Sequence, residues 1–472
     1  MALFRHFASP HDVAAMRAVF DFAGIRAEFE VPEEFPAAAL EEARNASAPT
    51  TGLVDLPFVT LDPPGSRDLD QAMHLARRGD GYRVSYAIAD VSTFVIPGGA
   101  LDQATAERGV TVYCPDRRIP LHPTELSEGA ASLLADQVRP AVLWEIDLDS
   151  TGEVVDVGLR RAAVRSVAQL DYPAVQADVD AGTAHGSLAL LPEIGQRRLA
   201  LARARHAIEL DLPEQEVVAS SEGAWSLVFR SPLPVEKWNA QVSLLTGICA
   251  AALMLDAGVG VLRTLPMAPK SAVRRLRSLA PSLGVAWPDH LQVGDVLAGL
   301  DVSDPRHAAF TNEAATLLRG AGYAAFDGPP PEQPGHAAVA APYAHVTAPL
   351  RRLVDRFGTE VCLAHAAGTP LPGWVRERLP LLPEQMAAAD RRASAVERAI
   401  LDLTEAHLLA GRVGEVFDAV VVDVEDDRAT VVLDSPAVRA RSAPLDAGPG
   451  ERVRVRLAEA DPAQRRVRFG PS

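Results

Sequence analysis

Asp62, Asp68 and Asp70 stand within nine residues, in the segment Thr60-Leu61-Asp62-Pro63-Pro64-Gly65-Ser66-Arg67-Asp68-Leu69-Asp70-Gln71. Carboxylates at this spacing repel one another unless a cation neutralises them or water screens them. Hard oxygen donors of this kind suit Mg²⁺ or Mn²⁺. Asp68 and Asp70 are two apart, so an extended backbone projects both to one face, and the Pro63-Pro64-Gly65 turn returns Asp62 to it. One pocket then holds three metal ligands. The alternative is a solvated acidic turn, since aspartate is at home in turns; the segments that follow along the chain favour the metal site.

Those segments supply a rigid support. Ala72 to Arg77, then Gly79-Asp80-Gly81, then Tyr82 to Asp90 with Tyr82, Val84, Tyr86 and Ile88 alternating, predict a β-hairpin. Further strands are expected around Thr111-Tyr113, Ala141-Asp147 and Val154-Arg165, and a helical stretch from Tyr172 to Leu210. Asn239 to Leu255 is nearly all apolar or small and predicts a buried helix closed by Gly258 and Gly260, too short to span a bilayer. A helix from Thr311 to near Gly320 and a Pro-rich loop from Asp327 to Gly335 precede the polar run Tyr343 to Arg352, after which another long helix follows. Ahead of the aspartates, residues 1 to 50 form a small helical unit, with one helix opened by Ser9-Pro10 and running through Ala14, Val19, Phe20 and Phe22, and a second over Ala37 to Arg44. With no basic recognition face, this unit reads as packing rather than as a helix-turn-helix cap on nucleic acid. From Gly411 onward five short strands in some sixty residues predict an OB-type barrel, with Arg452, Arg454 and Arg456 on one strand face. Both an RNA-binding groove and a structural barrel with a solvated charged face fit that pattern.

The chain of 472 residues is long enough for two to four domains, and its 48% hydrophobic content is that of a folded protein. No secretory signal or membrane span is visible, and Cys114, Cys249 and Cys362 match no metal spacing, so free thiols in the cytoplasm and no disulfides are expected. A net charge of −16 argues against a surface that coats itself with nucleic acid, though not against an internal basic groove. Lys237 and Lys270 are the only lysines, so positive charge is carried by arginine, which grips phosphate bidentately.

Several segments in one order resemble the catalytic RNB domain of the ribonuclease II and ribonuclease R family, over roughly residues 50 to 390. They are Asp62, Asp68 and Asp70; Tyr86 to Val91 with Pro97 to Asp102 and Arg108-Gly109; Val112-Tyr113 with Ile119 to Pro123 and Leu126-Ser127; Arg165-Ser166 with Leu170-Asp171-Tyr172; and Tyr343, His345 and Thr347 to Arg352 with Asp355. The resemblance implies an α+β, multidomain protein: a small N-terminal helical domain (1–50), a mixed α/β catalytic RNB domain (51–400) and a C-terminal five-stranded OB-fold RNA-binding domain (411–472). It implies a processive 3′-to-5′ exoribonuclease, a metal-dependent phosphodiester hydrolase that degrades single-stranded RNA to nucleoside 5′-monophosphates. Mg²⁺, or Mn²⁺ in its place, is implied as cofactor, held by Asp62, Asp68 and Asp70. Asp70 matches the family's catalytic aspartate, and Arg351 and Arg352 lie where guanidinium and amide groups at a helix start meet a phosphate. Tyr113 and Tyr172 match aromatic RNA contacts, Tyr172 at the 3′ end, where stacking is worth about 1–3 kcal/mol per base. Tyr343 and Gln241 join the RNA-binding set, while His345 reads as a structural histidine.

The chain departs from the family at three places. Gln71 stands where a fourth aspartate is usual; it offers a carbonyl oxygen but no charge, which leaves one or two metals open. Gln241 and Gly247 replace a glutamate and an asparagine that face RNA. Only about fifty residues precede the cluster, where the known enzymes carry cold-shock-type barrels, so a more open channel mouth is expected. These departures keep a second reading in view, an RNA-binding protein that has lost turnover; a third, a general phosphodiesterase, would cleave DNA equally. No nucleotide cofactor, no membrane and a monomeric state are expected.

Overall fold

The computed structural model describes residues 20–49, 52–184, 186–219, 225–425, 428–433 and 435–472. The expected helix from Ser9-Pro10 begins outside them. Within them Phe20 and Asp21 are not helical, and α1 (Phe22–Glu28) begins at Phe22, capped by Asp21, which accepts the Gly24 N–H at 2.7 Å. The second helix is α2 (Ala37–Asn45). Glu42 on α2 accepts the N–H groups of Ala100 and Leu101, both at 2.8 Å, and so caps α3 (Ala100–Arg108) from across the chain. Glu42 thereby ties α2 to the start of α3.

The predicted hairpin is β2 (Gln71–Arg78) and β3 (Gly81–Ala89), paired from Gln71↔Ile88 to Arg78↔Gly81. It belongs to a closed barrel that local patterning did not reveal. β1 (Leu53–Asp62) pairs with β2, and β3 with β6 (Val138–Leu148), which pairs in turn with β7 (Val154–Asp171). β7 then closes the ring on β1 in parallel, Leu61 against Leu170 and Asp62 against Asp171. A short ladder of β4 (Val112–Tyr113) and β5 (Arg118–Ile119) lies between β3 and β6 in the chain. β3 is buried on both faces: Tyr82, Val84, Tyr86 and Ile88 feed one core, while Ala87 and Ala89 feed another with Phe58, Leu69 and Leu101.

The helical stretch is α4 (Tyr172–Ala181) and α5 (Leu191–Ala204), and a hairpin of β8 (Glu214–Ala219) and β9 (Trp225–Arg230) leads to α6 (Pro234–Ala257). α6 starts a turn earlier than its apolar run, with Glu236 accepting the Leu233 N–H at 2.9 Å, and ends at Gly258 in the left-handed conformation, φ +68°. At 24 residues it is long and apolar enough to cross a membrane, contrary to the sequence expectation. It lies instead within the main core, with Val242, Leu245, Ala250 and Met254 fully buried.

β10 (Val259–Thr264) and β11 (Gly322–Asp327) flank a small helical core of α7 (Lys270–Leu279), α8 (Val293–Ala298) and α9 (Pro305–Ala314). The helix expected from Thr311 thus begins six residues sooner, at a Pro305 start capped by Asp304, and its last turn is a 3₁₀ segment, Ala315–Leu318. The ladder of β12 (Gly335–His336) and β13 (Ala341–Pro342) leads into the Tyr343–Arg352 loop, followed by α10 (Leu353–Ala366), α11 (Gly373–Arg378) and α12 (Leu382–Leu409). α12 runs past residue 400 and gives Leu408 and Leu409 to the C-terminal core. There β14 (Val416–Glu425), β15 (Arg428–Leu433), β16 (Val438–Ser442), β17 (Arg452–Asp461) and β18 (Arg466–Pro471) close the expected five-stranded barrel in the order β14-β15-β16-β18-β17. Arg452, Arg454 and Arg456 share its exposed face, while Val455 and Leu457 point inward.

Gly247 is the contact through which α6 admits the Tyr343 loop. A Cβ there would lie 2.1 Å from the Tyr343 ring and 2.6 Å from the Ala344 carbonyl oxygen. Gly247→Ala is expected to cost about 1–3 kcal/mol in chemical denaturation, because neither α6 nor the ring has room to withdraw; a neutral result would mean that the loop is not seated as described.

Candidate active site

The loop from Pro63 to Asp70 joins the end of β1 to the start of β2, so Asp62 and Asp70 are held at the two strand ends. Gly65 adopts φ +80° in the turn, and Ser66 closes it by donating through its N–H and its hydroxyl to the Pro63 carbonyl, at 3.2 and 2.8 Å. Ser132 pins the second half: its hydroxyl donates to the Arg67 carbonyl at 2.7 Å and accepts the Leu69 N–H at 3.0 Å. Leu69 is fully buried between the two acids.

Asp70 is buried, and one of its oxygens accepts the Leu350 N–H at 2.7 Å while the other lies 3.4 Å from Arg351 Nε. Burial pushes its carboxyl up to about 8, against the pull of Arg351 and the Leu350 N–H, with the charge of Asp68 adding to the rise. Asp62 is pushed up to about 6 by burial, again opposed by Arg351 and reinforced by Asp68. Its Oδ2 is buried without a hydrogen-bond partner among the described residues. These acids and Arg351 are therefore electrostatic neighbours. Hard oxygen donors, one of them unpartnered, are the chemistry a divalent cation requires.

The ligand set is not preassembled, however, and this corrects the expectation of one ready pocket. Among the described residues no three His, Cys, Asp or Glu side chains gather closely enough to hold an ion. Asp68 is paired with Arg118 on β5, whose guanidinium also binds Glu128. Gln71 does not take the place of a fourth ligand: its carbonyl oxygen accepts the Tyr86 hydroxyl at 2.5 Å, and its amide donates to the Thr347 carbonyl at 2.7 Å.

The arginine pair also divides. Arg351 lies in the turn before α10 with 45% of its side chain exposed. Arg352, the residue capping α10, makes a bidentate pair with Asp355 at 2.9 and 2.8 Å, and Asp355 in turn accepts the Ala348 N–H at 2.6 Å. Of this pair Arg351 alone meets Asp70, while Arg352 is committed to holding the loop, which differs from the expectation that both converge on one phosphate.

Of the aromatic candidates, Tyr113 is 54% exposed and sits opposite Arg118 on the β4–β5 ladder, within electrostatic reach of Asp68, Asp70 and Arg351. Tyr172 opens α4 directly after Asp171, and the parallel register of Asp62 with Asp171 brings it beside Asp62. Tyr343 is buried, its ring edge-on to His336 and His345. Together with Gln241 it lines a cavity of about 740 Å³ that reaches from Tyr172 to Arg203, Arg230 and Lys237. The three aspartates, Tyr113, Arg351 and Arg352 lie outside that lining. His345 bonds through Nδ1 to the Tyr323 hydroxyl at 2.8 Å, as a structural histidine does.

Sequence reasoning missed Arg118, Ser132 and Asn239. Arg118 stood inside the Tyr113–Pro123 motif, and Asn239 was a carboxamide two residues before Gln241 at the head of an apolar run; nothing local distinguished Ser132.

Residues 51–358 match the RNB domain, and residues 415–472 match the RNase II-type exonuclease C-terminal S1 domain. Ribonuclease R of Escherichia coli (strain K12) is 29% identical over 428 residues, which cover 84% of this chain and 50% of that protein. The exosome complex exonuclease RRP44 homolog A of Arabidopsis thaliana is 27% identical over 365 residues, 73% of this chain and 38% of that one. The chain thus spans half or less of the length of these relatives. In fold it is similar to Mycoplasma genitalium RNase R in complex with ribose methylated single-stranded RNA, with a TM-score of 0.87 at 19% identity over 96% of this chain and 78% of that one. The yeast pseudonuclease Ssd1 follows at 0.67 and 14%, over 92% and 53%.

The raised carboxyl of Asp70 has a consequence for stability without metal. The folded state keeps the proton to about pH 8, whereas an unfolded aspartate loses it near 4. The stability this proton contributes is complete below about pH 4 and is lost as pH rises to about 8. In chelator, the thermal midpoint of the protein is expected to fall more steeply between pH 6 and 8 than that of Asp70→Asn, whose amide still accepts the Leu350 N–H; parallel slopes would show that Asp70 is ionised throughout.

Proposed function

The chain belongs to the RNB family, and from that premise we propose that it is a processive 3′-to-5′ exoribonuclease that hydrolyses single-stranded RNA to nucleoside 5′-monophosphates. The observation that carries this reading is the placement of Asp62 and Asp70 at two adjoining strand ends, with the accessible guanidinium of Arg351 against Asp70. An acid pair able to hold a cation and a solvent-accessible guanidinium beside it are what a phosphodiester needs around its scissile bond.

Asp62, Asp68 and Asp70 would hold Mg²⁺, or Mn²⁺ in its place, which when bound neutralises phosphate charge and lowers the pKa of a water molecule. Arg351 binds a phosphate oxygen through its exposed side chain and stabilises charge developing on it. Asp70, fixed by the Leu350 N–H, orients the attacking water. Tyr113 and Tyr172 flank the acids, where bases stack without regard to sequence. Tyr343 and Gln241 line the cavity beyond Tyr172, the path for the strand that leads away from the 3′ end. The complex of the similar Mycoplasma genitalium enzyme with single-stranded RNA supports the substrate class. Free Cys114, Cys249 and Cys362 suit a reducing compartment, and we place the enzyme in the cytoplasm.

A second reading, an RNA-binding protein without turnover, has its own support. Gln71 is spent on Tyr86 and Thr347, Asp68 is held by Arg118, and the fold extends to a pseudonuclease. End-labelled oligoadenylate with Mg²⁺ separates the two: a ladder of shortening products is expected, and intact RNA retained on the protein would establish the binder. Asp70→Asn should lower turnover on the order of 10³-fold with RNA affinity nearly unchanged. Asp70→Ala should in addition lose about 1–3 kcal/mol of stability, since the Leu350 N–H is left buried without an acceptor. Full activity in Asp70→Asn would remove Asp70 from its assigned role.

A further inference from the structure

The face of α6 that meets the barrel carries two polar residues, Asn239 and Ser243, one turn apart. Ser243 lies 2.9 Å from the Tyr86 hydroxyl and donates to Gln71 at 3.4 Å. Asn239 is 5% exposed and donates through Nδ2 to the Tyr172 hydroxyl oxygen at 3.0 Å, with a longer contact of 3.5 Å to the Leu61 carbonyl. Because that carbonyl only accepts, it sets the orientation of the amide and directs the N–H₂ toward Tyr172. The Asn239 Oδ1 is left buried with no hydrogen-bond partner among the described residues. Burying an unpaired carbonyl oxygen costs stability that a leucine at this position would not cost. The carboxamide therefore gives its N–H₂ to the Tyr172 hydroxyl and leaves its carbonyl oxygen unpaired.

We propose that Asn239 is a positioning residue, which fixes the Tyr172 ring and, by donating to its phenolic oxygen, leaves the Tyr172 proton free to be given to a hydroxyl of the 3′-terminal ribose. This rests on the exoribonuclease reading and adds to it a determinant of which chain end is accepted. The geometry is specific to the pair. Tyr172 is placed beside Asp62 by the β1–β7 register, and Asn239 reaches it from a different element through one hydrogen bond. A phenol whose oxygen already accepts an N–H presents its own O–H outward, so it acts on a substrate hydroxyl as donor. A nucleotide end lacking that hydroxyl leaves the donor without a partner.

The test compares an oligoribonucleotide with the same strand ended by a 2′-deoxy or a 3′-deoxy nucleotide, measured as kcat/KM for removal of the last residue. The unsubstituted protein is expected to prefer the full ribose about tenfold over one of the two deoxy ends, which identifies the hydroxyl read. Asn239→Leu and Tyr172→Phe should each abolish that preference. The double variant should lose no more than either one, and the thermal midpoint of Asn239→Leu should be equal or higher. If Asn239→Leu fails to fold, Tyr172→Phe, which deletes a single hydroxyl, decides: a preference that survives it overturns the proposal. So does Asn239→Leu with the preference intact, or an unsubstituted protein that shortens all three strands equally. A protein that shortens none of them overturns the exoribonuclease reading as well.

Discussion

The carboxylate of Asp70 ties together two segments 280 residues apart, and the architecture of the site follows from that junction. One oxygen holds the Leu350 N–H and the other lies against Arg351, so a single side chain both docks the Tyr343–Arg352 loop on the barrel and orients the guanidinium. Neighbouring bonds reinforce the dock: Gln71 to the Thr347 carbonyl, the Thr111 N–H to the Arg351 carbonyl and the Leu353 N–H to the Gly109 carbonyl. Asp70 is nonetheless buried and Asp62 half-buried, and burial raises both carboxyls against the pull of Arg351. In physical terms the junction places two carboxyls raised by burial beside one guanidinium.

Arginine allocation shapes what is left for a ligand. Arg118 is held by Asp68 and Glu128, and Arg352 by Asp355. A guanidinium paired bidentately with a buried carboxylate is a structural clamp, because separating the two leaves an uncompensated charge. Arg351 meets Asp70 through one longer contact and keeps nearly half its side chain in solvent. It is therefore the member of the set that can turn to an incoming anion at small cost.

α6 shows how one helix serves two purposes. Its apolar faces make the main core, and Gly247 lets the Tyr343 ring approach within van der Waals distance of its backbone. Two polar residues face the barrel, where Ser243 and Asn239 contact the side chains around the acids. Two residues of this helix thus have different uses: Gly247 admits the close approach of the Tyr343 ring, while Gln241 lies on the cavity wall.

Much of the protein was legible from residue order, because the interactions responsible are local. The β2–β3 hairpin, the five C-terminal strands and the apolar α6 all announce themselves by periodicity and by glycine or proline at their ends. The chemical types of the site, three aspartates and an arginine pair, were equally plain. Tertiary structure alone decided how they are used. The parallel closure of β1 on β7 joins segments a hundred residues apart, and no local pattern encodes that register, yet it is what sets Tyr172 beside Asp62. Whether Asp68 meets a metal or Arg118, whether Gln71 is a ligand or a strut, and which arginine stays free depend on side-chain directions across separate elements. A sequence specifies which charges are present; only the packed chain determines which of them neutralise one another and which remain for a substrate.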